Sequence, residues 1–325
     1  MKKIAFITER NLSSNSNGSS MRDLRLLELL REKYEVDIFY NNVDKSKLGM
    51  FRCFKTLPNE IKSVINSSEY HKVIVSTFII SPFFLSYARQ NNVIYYLCDS
   101  SFHIASQFLS IKSKILSIVL SMKEFLLLTF FPVKGAYLGS DEIKYIPKFL
   151  KSKAIIFPFH MERGEYLYNE NGYITFIGDF SFLPNKIALK NIVDYARRSD
   201  FKFKVFGSNI PSDFSYPKNV EVVGYVNNIK DAYDGARALI YPVVYGTGIK
   251  NKVIEAMSFG IPVVGYKEAF TNLDFKESIK IVKNTPFSDE YFVNLSKNSI
   301  SSYEFVFNEL SKKSVSEKIF KEIDK

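Results

Sequence analysis

Between Tyr245 and Val264 the sequence reads YGTGIKNKVIEAMSFGIPVV. Gly246 and Gly248 are followed by Lys250, Asn251 and Lys252, and Glu255 lies about one helical turn further on. Glycines let a backbone turn tightly and approach a ligand with no Cβ in the way. The apolar run ALIYPVV reads as a strand leading into this loop, and a helix opens at about Asn251. Its unpaired N–H groups and the positive end of its dipole suit phosphate. The two lysines add full positive charges, and a carboxylate one turn in can accept hydrogen bonds from ribose hydroxyls. Together these groups fit a nucleoside diphosphate. A two-glycine turn at a helix start also has a purely structural reading.

Such a loop needs a frame. KKIAFIT reads as a first strand, SSNSNGSS as a polar loop, and the run from about Met21 to Lys33 as a helix with Leu24, Leu27 and Leu30 on its apolar face. The strands YEVDIFY, HKVIVST, NNVIYYLC and GAYLGS follow. The pattern then restarts. YITFIGD is a strand, PNKIALKNIVDYARR a helix, FKFKVFGS and NVEVVGYV strands, and NIKDAYDGA a short helix. ARALIYPVV, NKVIEAMSFG and IPVVGY complete it as strand, helix and strand. Short apolar strands separated by helices imply βα units and a mostly parallel sheet. The irregular FPFHMERGEYLYNENG marks a hinge, with a boundary near residues 160–172. The expected architecture is α/β: two doubly wound Rossmann-like domains, 1–165 and 166–325, facing across a cleft, the last helix able to pack back on the first domain. In such sheets ligands bind outside the carboxyl ends of the strands.

Composition sets the class. A chain of 325 residues, 46% of them hydrophobic, suits two ordinary domains with real cores. Cys53 and Cys98 are isolated, with neither metal-ligand nor disulfide spacing, which points to a reducing cytoplasm. MKKIAFITERN has too short an apolar run for a signal peptide and reads as a strand. The net charge of +10 is lopsided: residues 1–165 hold 23 Lys and Arg against 15 Asp and Glu, the remainder 21 against 19. A basic N-terminal half suggests an anionic partner, whether membrane headgroups, nucleic acid or a phosphorylated substrate. A merely soluble surface is the plainer alternative.

GTGIKNKVIEAMSFGIPVV closely resembles the donor-site segment of GT-B glycosyltransferases of the GT4-like group, whose pattern runs G-x-G-I-x-N-K-[VIL]-L-E-A-M-A-x-G-x-P-V-V. YITFIGDFSFLPNKIALKNIV is similar to the opening strand and helix of that family's C-terminal domain. RNLSSNSNGSSMRDLRLLELLREKYEVDIF is similar to its glycine-containing acceptor loop and first helix, and AYLGSDEIKYI to a further N-terminal segment. The match covers most of the chain, strongly in the C-terminal half and weakly in the other. It implies sugar transfer from a nucleotide-diphosphate donor, with the donor on the C-terminal domain and the acceptor on the N-terminal one. By motif position, Gly246, Thr247, Gly248, Ile249, Lys250, Asn251 and Lys252 line the diphosphate and sugar, and Glu255 binds the ribose. Gly178 and Asp179 border the site, and Lys186 reaches the phosphates unless it is a solvated helix lysine. Gly207, Tyr225 and Val226 sit where the family holds the base, Tyr225 having ordinary packing as its alternative. Many retaining members carry E-x7-E; here the second glutamate is Glu255 and the first position is Thr247. The subgroup with GIKNK often lacks that first carboxylate too, but its loss blurs which group faces the transferred sugar.

The diphosphate is a leaving group, so positive groups beside it stabilise the transition state more than the ground state. No Asp-x-Asp or His/Cys cluster stands ready to hold a metal, which gives an expectation of metal-independent transfer with no cofactor besides the nucleotide sugar. On the acceptor side, Asp99 follows the strand NNVIYYLC and would orient or deprotonate a hydroxyl, or else cap the helix starting near Ser101. Lys250, Glu255 and Asp99 are thus the catalytic candidates. Asn17, Gly18 and Arg22 form an acceptor loop after the first strand, and His103 lies near Asp99 with either an acceptor-binding or a structural role.

Within IKSKILSIVLSMKEFLLLTFFPVKG, the 111–133 helix is either a basic amphipathic helix on anionic headgroups or a helix packed on the sheet with Lys112, Lys114 and Lys123 outward. The leading expectation is a cytoplasmic glycosyltransferase, at the inner face of a membrane, acting on a glycan or lipid-linked acceptor in surface polysaccharide or glycolipid synthesis. A nucleotide-sugar epimerase on the same fold would need added catalytic groups, and no histidine follows His160. A non-catalytic nucleotide-sugar-binding protein is the third reading. A nucleic-acid partner is set aside, since no recognisable binding signature is present.

Overall fold

The computed structural model describes residues 1–10, 12, 18–40, 59–76, 92–106, 111–243, 247–281 and 287–325, with backbone only at 18, 19 and 111–117. Of the expected site residues, Asn17 and Gly246 lie outside the described residues, as do Cys53 and most of the SSNSNGSS loop. The chain forms two compact units: Met1–His160 with Lys312–Lys325, and Met161–Ser311.

The first unit is a six-stranded sheet in the order β2-β1-β3-β4-β5-β6, every neighbouring pair parallel. Its strands are β1 (Lys3–Thr8), β2 (Glu35–Tyr40), β3 (Lys72–Ser76), β4 (Val93–Cys98), β5 (Val133–Tyr137) and β6 (Ala154–Ile156). Crossovers include α1 (Gly18–Leu30), α2 (Asn59–Asn66), the short α3 (Ser101–Ala105), α4 (Ile111–Phe130) and α5 (Ser140–Lys144). β4 is buried along its whole length, as a central parallel strand covered on both faces must be. Val73, Val75, Val93, Tyr95, Leu127, Leu128 and Tyr137 meet in one core cluster.

The second unit repeats the plan in the order β12-β11-β10-β7-β8-β9, again all parallel. Its elements are β7 (Tyr173–Asp179), α6 (Leu183–Ala196), β8 (Phe203–Ser208), β9 (Val220–Gly224), β10 (Ala236–Tyr241), α7 (Asn251–Ser258), β11 (Val263–Gly265), β12 (Ile279–Lys280) and α8 (Ser296–Glu309). Ile174, Phe176, Leu189, Ile192, Val205, Leu239 and Ile254 are all buried. Each such side chain contributes roughly 1.5–3 kcal/mol on burial.

One feature differs from the sequence reading, and one follows it. The segment read as a hinge has no regular structure, yet from Met161 onward it is tied to the second unit. Gly164 and Leu167 donate main-chain bonds to the carbonyls of Ser258 and Phe259, and Asn169 to that of Ala236. Arg163 stacks on Tyr303 and Phe307. The last helix, α9 (Lys312–Ile323), belongs to the first unit. It buries Val315, Ile319 and Ile323, sets Phe320 edge-on to Tyr34, and pairs Lys312 with Glu28 and Glu32.

Candidate functional site

In the second unit the chain steps from β7 to β8 and β9 on one side, then returns to β10 and moves outward through β11 and β12 on the other. Connections diverge between β7 and β10, and a crevice at the carboxyl ends of such a pair is where open α/β sheets bind ligands. Gly178 and Asp179 end β7, while the loop after β10 leads to α7.

The turn after β7 is fastened by amides. Asp179 Oδ1 accepts from the Ser181 N–H and from Asn209 Nδ2, both at 2.9 Å, and the Asp179 carbonyl accepts from Asn185 Nδ2 at 2.8 Å. The Asn209 and Ser181 hydrogen bonds hold the Asp179 carboxyl down at about 2. Gly207 is paired with Gly178 across the β7–β8 ladder at φ +127°. A Cβ there would stand 1.7 Å from the Gly178 carbonyl oxygen, so glycine is dictated by the approach of the two strands.

Gly248, at φ 69°, turns the chain in the left-handed region that favours glycine. Buried Lys250 then opens α7 in extended conformation with no side-chain cap. Its ammonium folds back on the carbonyls of Thr247 and Gly248, each 2.8 Å away. Ile249 is buried beneath the loop. Asn251 Oδ1 is buried with no hydrogen-bond donor among the described residues. Burial pushes the Lys252 ammonium down, against the attraction of the Glu255 and Asp179 carboxylates. That shared field gathers the two ends of the crevice: the helix start from one strand and the Asp179 turn from the other. Glu255 is half-buried on the same helix. Tyr233 packs below it, stacked on Phe259 and donating to the Lys252 carbonyl at 3.1 Å.

Lys186 is exposed on the first turn of α6. Tyr225 just beyond β9 is 74% exposed and so takes no part in core packing, while Val226 is half-buried.

The first unit presents its own strand ends. Thr8 and Ser76 are register partners at the ends of β1 and β3, and both hydroxyls donate to buried Asp23, at 2.8 and 2.7 Å. Arg10 completes the set with an ion pair to Asp23 at 2.7 Å. One strand over, Arg22 reaches Asp99 at 3.2 Å. Burial alone would lower the Arg22 guanidinium, but the Asp99 charge, aided by Cys98 and Tyr96, raises it. Two expected acceptor-side residues are thus brought together. Asp99 does not cap the following helix; Ser100 does, accepting from the Phe102 N–H. A register shift in β4 and a Cys98 φ of 65° aim Asp99. A non-glycine residue there costs on the order of 1–3 kcal/mol, a strain that clusters at functional sites. Burial pushes the Cys98 thiol up to about 12, so it is not a nucleophile near neutrality.

His103 is buried, with Nδ1 2.9 Å from Glu142 Oε2 and its ring stacked on Tyr145 at 4.1 Å. Glu142 also accepts from the Ser100 N–H at 2.9 Å. Glu124 accepts from the Ser101 N–H at 2.6 Å and from Tyr137 at 2.7 Å, while burial raises its carboxyl against those hydrogen bonds. Two buried carboxylates therefore clamp the turn that carries Asp99. Gly18 begins α1. Lys123 corrects the reading of the 111–133 helix: it is buried and donates to Tyr95 at 3.2 Å, because α4 turns its charged pair toward the sheet. The side chains of Lys112 and Lys114 lie outside the described residues. Asn185 and Asn209, and in the first unit Arg10, Asp23, Glu124 and Glu142, were not singled out from sequence. Only Asn185 carried a signal there, through its place in the FLPNKIA run.

Residues 172–277 match the family model described as Glycosyl transferases group 1. No curated protein matches the sequence. Sucrose-phosphate synthase from Thermosynechococcus elongatus superposes with a TM-score of 0.70 at 13% identity, over 100% of this chain and 98% of that one. A glycosyltransferase from Rickettsia africae gives 0.63 at 12%, over 100% and 99%. Anabaena Alr3699/HepE, solved in complex with UDP and glucose, gives 0.61 at 11%, over the whole of both chains. At such identities the likeness establishes the fold. The chain has the two-unit GT-B fold, and its second unit carries a segment that matches the glycosyl transferases group 1 model, which together support sugar transfer.

Proposed function

We propose that the protein is a metal-independent glycosyltransferase of the GT4-like group. It moves a sugar from a nucleotide-diphosphate donor to a hydroxyl of a glycan or lipid-linked acceptor, with retention of configuration. The pathway is the synthesis of a surface polysaccharide or glycolipid, at the cytoplasmic face of a membrane. The observation that carries this reading is the furnishing of the β7–β10 switch point. A left-handed glycine, a helix start without a side-chain cap, an unanswered Asn251 oxygen and two lysines converge there. Donor binding falls to residues 166–325 and acceptor binding to 1–165.

In this reading the amides of α7, with Lys250 and Lys252, take the diphosphate, whose charge grows as the glycosidic bond breaks. Glu255 accepts from the ribose hydroxyls, and Tyr225 and Val226 flank the base. Asp99, paired with Arg22, orients the acceptor hydroxyl, with Asn17, Gly18 and His103 around the acceptor. The UDP and glucose held by the Anabaena neighbour support a nucleotide sugar as donor.

The test is thermal stabilisation against a panel of nucleotides and nucleotide sugars, with and without EDTA, on the wild type and Glu255→Ala. A rise with one nucleotide diphosphate that survives EDTA and vanishes in the variant is the expected result. No rise with any of them, with or without acceptor, would sink the reading.

A further inference from the structure

The C-terminal half of α4 is inside out. Its two charged side chains, Lys123 and Glu124, are 8% and 2% exposed, while Ile118, Met122 and Phe130 are 52%, 59% and 68% exposed. With half-buried Leu126 between them, these apolar residues recur every fourth position and form one row along the helix. A helix facing water puts its charges outward and its apolar stripe inward.

The surface continues onto the 3-10 turn Lys148–Lys153. There Phe149 is 67% exposed, its ring edge-on to Phe125 at 6.1 Å. Lys153 Nζ donates to the Phe131 carbonyl at 2.9 Å, which fastens the turn to the end of α4. The turn reads KFLKSK, with three lysines and no carboxylate. Lys144, paired with Asp141, stands just before it.

We propose that this face of the first unit docks on an anionic lipid bilayer. Ile118, Met122, Phe130 and Phe149 enter the headgroup region, and Lys148 and Lys151 meet the lipid phosphates. Charge selects the occupant. Exposed apolar side chains framed by lysines suit the boundary between acyl chains and anionic headgroups. A second copy meeting this face by two-fold symmetry would set a basic rim against its own like charge. Among the described residues no helix is long and apolar enough to cross a membrane, so the contact is one of lying on the surface. The inference rests on and deepens the reading of a lipid-linked acceptor: it names the surface that would bring the enzyme to such a substrate.

The experiment is co-sedimentation of the full chain with vesicles of phosphatidylcholine alone or mixed equally with phosphatidylglycerol. Wild type should pellet with the mixed vesicles and stay in solution with the neutral ones. The double change Met122→Ser with Phe149→Ser should weaken partitioning by at least about tenfold. Lys148→Gln with Lys151→Gln should weaken it by about fivefold for each charge removed. All four positions are outside the donor unit, so nucleotide stabilisation of the variants should match wild type, which also confirms their folding. Failure of the wild type to pellet, or variants pelleting as well as wild type, overturns the proposal. So does a homodimer in analytical ultracentrifugation that the apolar variants dissociate. Pelleting without any nucleotide response would leave the membrane face standing and remove the transferase reading; the converse result would do the opposite.

Discussion

The β1–β3 strand ends of the first sheet and the β7–β10 strand ends of the second are furnished in opposite ways. At the β1–β3 edge of the first unit, polar groups saturate one another: Thr8, Ser76 and Arg10 all converge on Asp23. At the β7–β10 edge of the second, a buried amide oxygen of Asn251 has no donor among the described residues, and a lysine is pushed down by burial beside a helix start. A fully satisfied network in a low dielectric is rigid and specifies one arrangement. Buried polar atoms left over in a folded protein call for an explanation, and a ligand is one. Under the proposed function the first edge is scaffold and the second a cradle for the donor. The difference predicts that equivalent polar deletions will be read as lost stability at the first edge and as lost ligand affinity or turnover at the second.

The largest effect should come from Asp23→Ala. It leaves the Arg10 guanidinium without its buried counter-charge, which costs about 3–5 kcal/mol. Urea unfolding followed by tyrosine fluorescence should show the transition moved to much lower denaturant. A loss under about 1 kcal/mol, the range of an exposed pair, would break the scaffold half of the comparison.

Lys250→Ala comes next. Losing one preorganised positive donor at a leaving group typically lowers kcat by about 10²–10³-fold. Turnover of whichever nucleotide sugar stabilises the protein measures it, with a melting curve as control, because Lys250 also ties the carbonyls of Thr247 and Gly248. If melting falls while kcat holds, the lysine only closes the loop.

The asymmetry also explains what could be read from sequence. β7 coincides with the YITFIGD run, because a parallel strand buried on both faces must be continuously apolar and bounded by turn residues. The start of α7 at Asn251 was legible for the same local reason: glycine, lysine and a helical apolar period follow one another within a few positions. Long-range pairing leaves no such trace. Arg22 and Asp99 are 77 positions apart, and although each is legible as an acceptor-side candidate, nothing in the sequence pairs them. Lys123 and Glu124 sit in a helix whose inward face is chosen by Tyr95, Tyr137 and the α3 turn, so composition pointed the Lys123 charge the wrong way. β6 and β12 depend on neighbours supplied from elsewhere in the chain.

A smaller effect should follow Asn251→Ala. The oxygen it removes has no partner among the described residues, so the free protein should unfold within about 0.5 kcal/mol of wild type, as harmless substitutions do. Donor affinity should fall by about 3–10-fold, the loss of one ordinary hydrogen bond of roughly 0.5–1.5 kcal/mol. Calorimetric titration with the stabilising nucleotide separates the two. A variant that binds as well as wild type but melts lower would make Asn251 scaffold, like Asp23, and would blur the contrast between the edges.

The smallest effect concerns Asp179, the exposed carboxylate at the rim of the cradle. Its carboxyl lies at about 2 instead of the ordinary 3.8, chiefly through the Asn209 amide and then the Ser181 N–H. A depressed folded value means that the stabilisation is present above the unfolded pKa and is lost as pH falls from near 3.8 toward 2. Asn209→Ala removes the first of these donors, so the titration midpoint should move back up toward 3.8 and the acid window should narrow. A carbon-13 NMR titration of the Asp179 carboxyl reads the shift directly. Because the group is solvated, stability near neutral pH should hardly change, but the turn that borders Gly178 should loosen. Weaker nucleotide binding with an unmoved midpoint would mean that Asn209 acts on the ligand itself. The cradle would then extend across the end of β8, one strand further from α7 than the switch point requires.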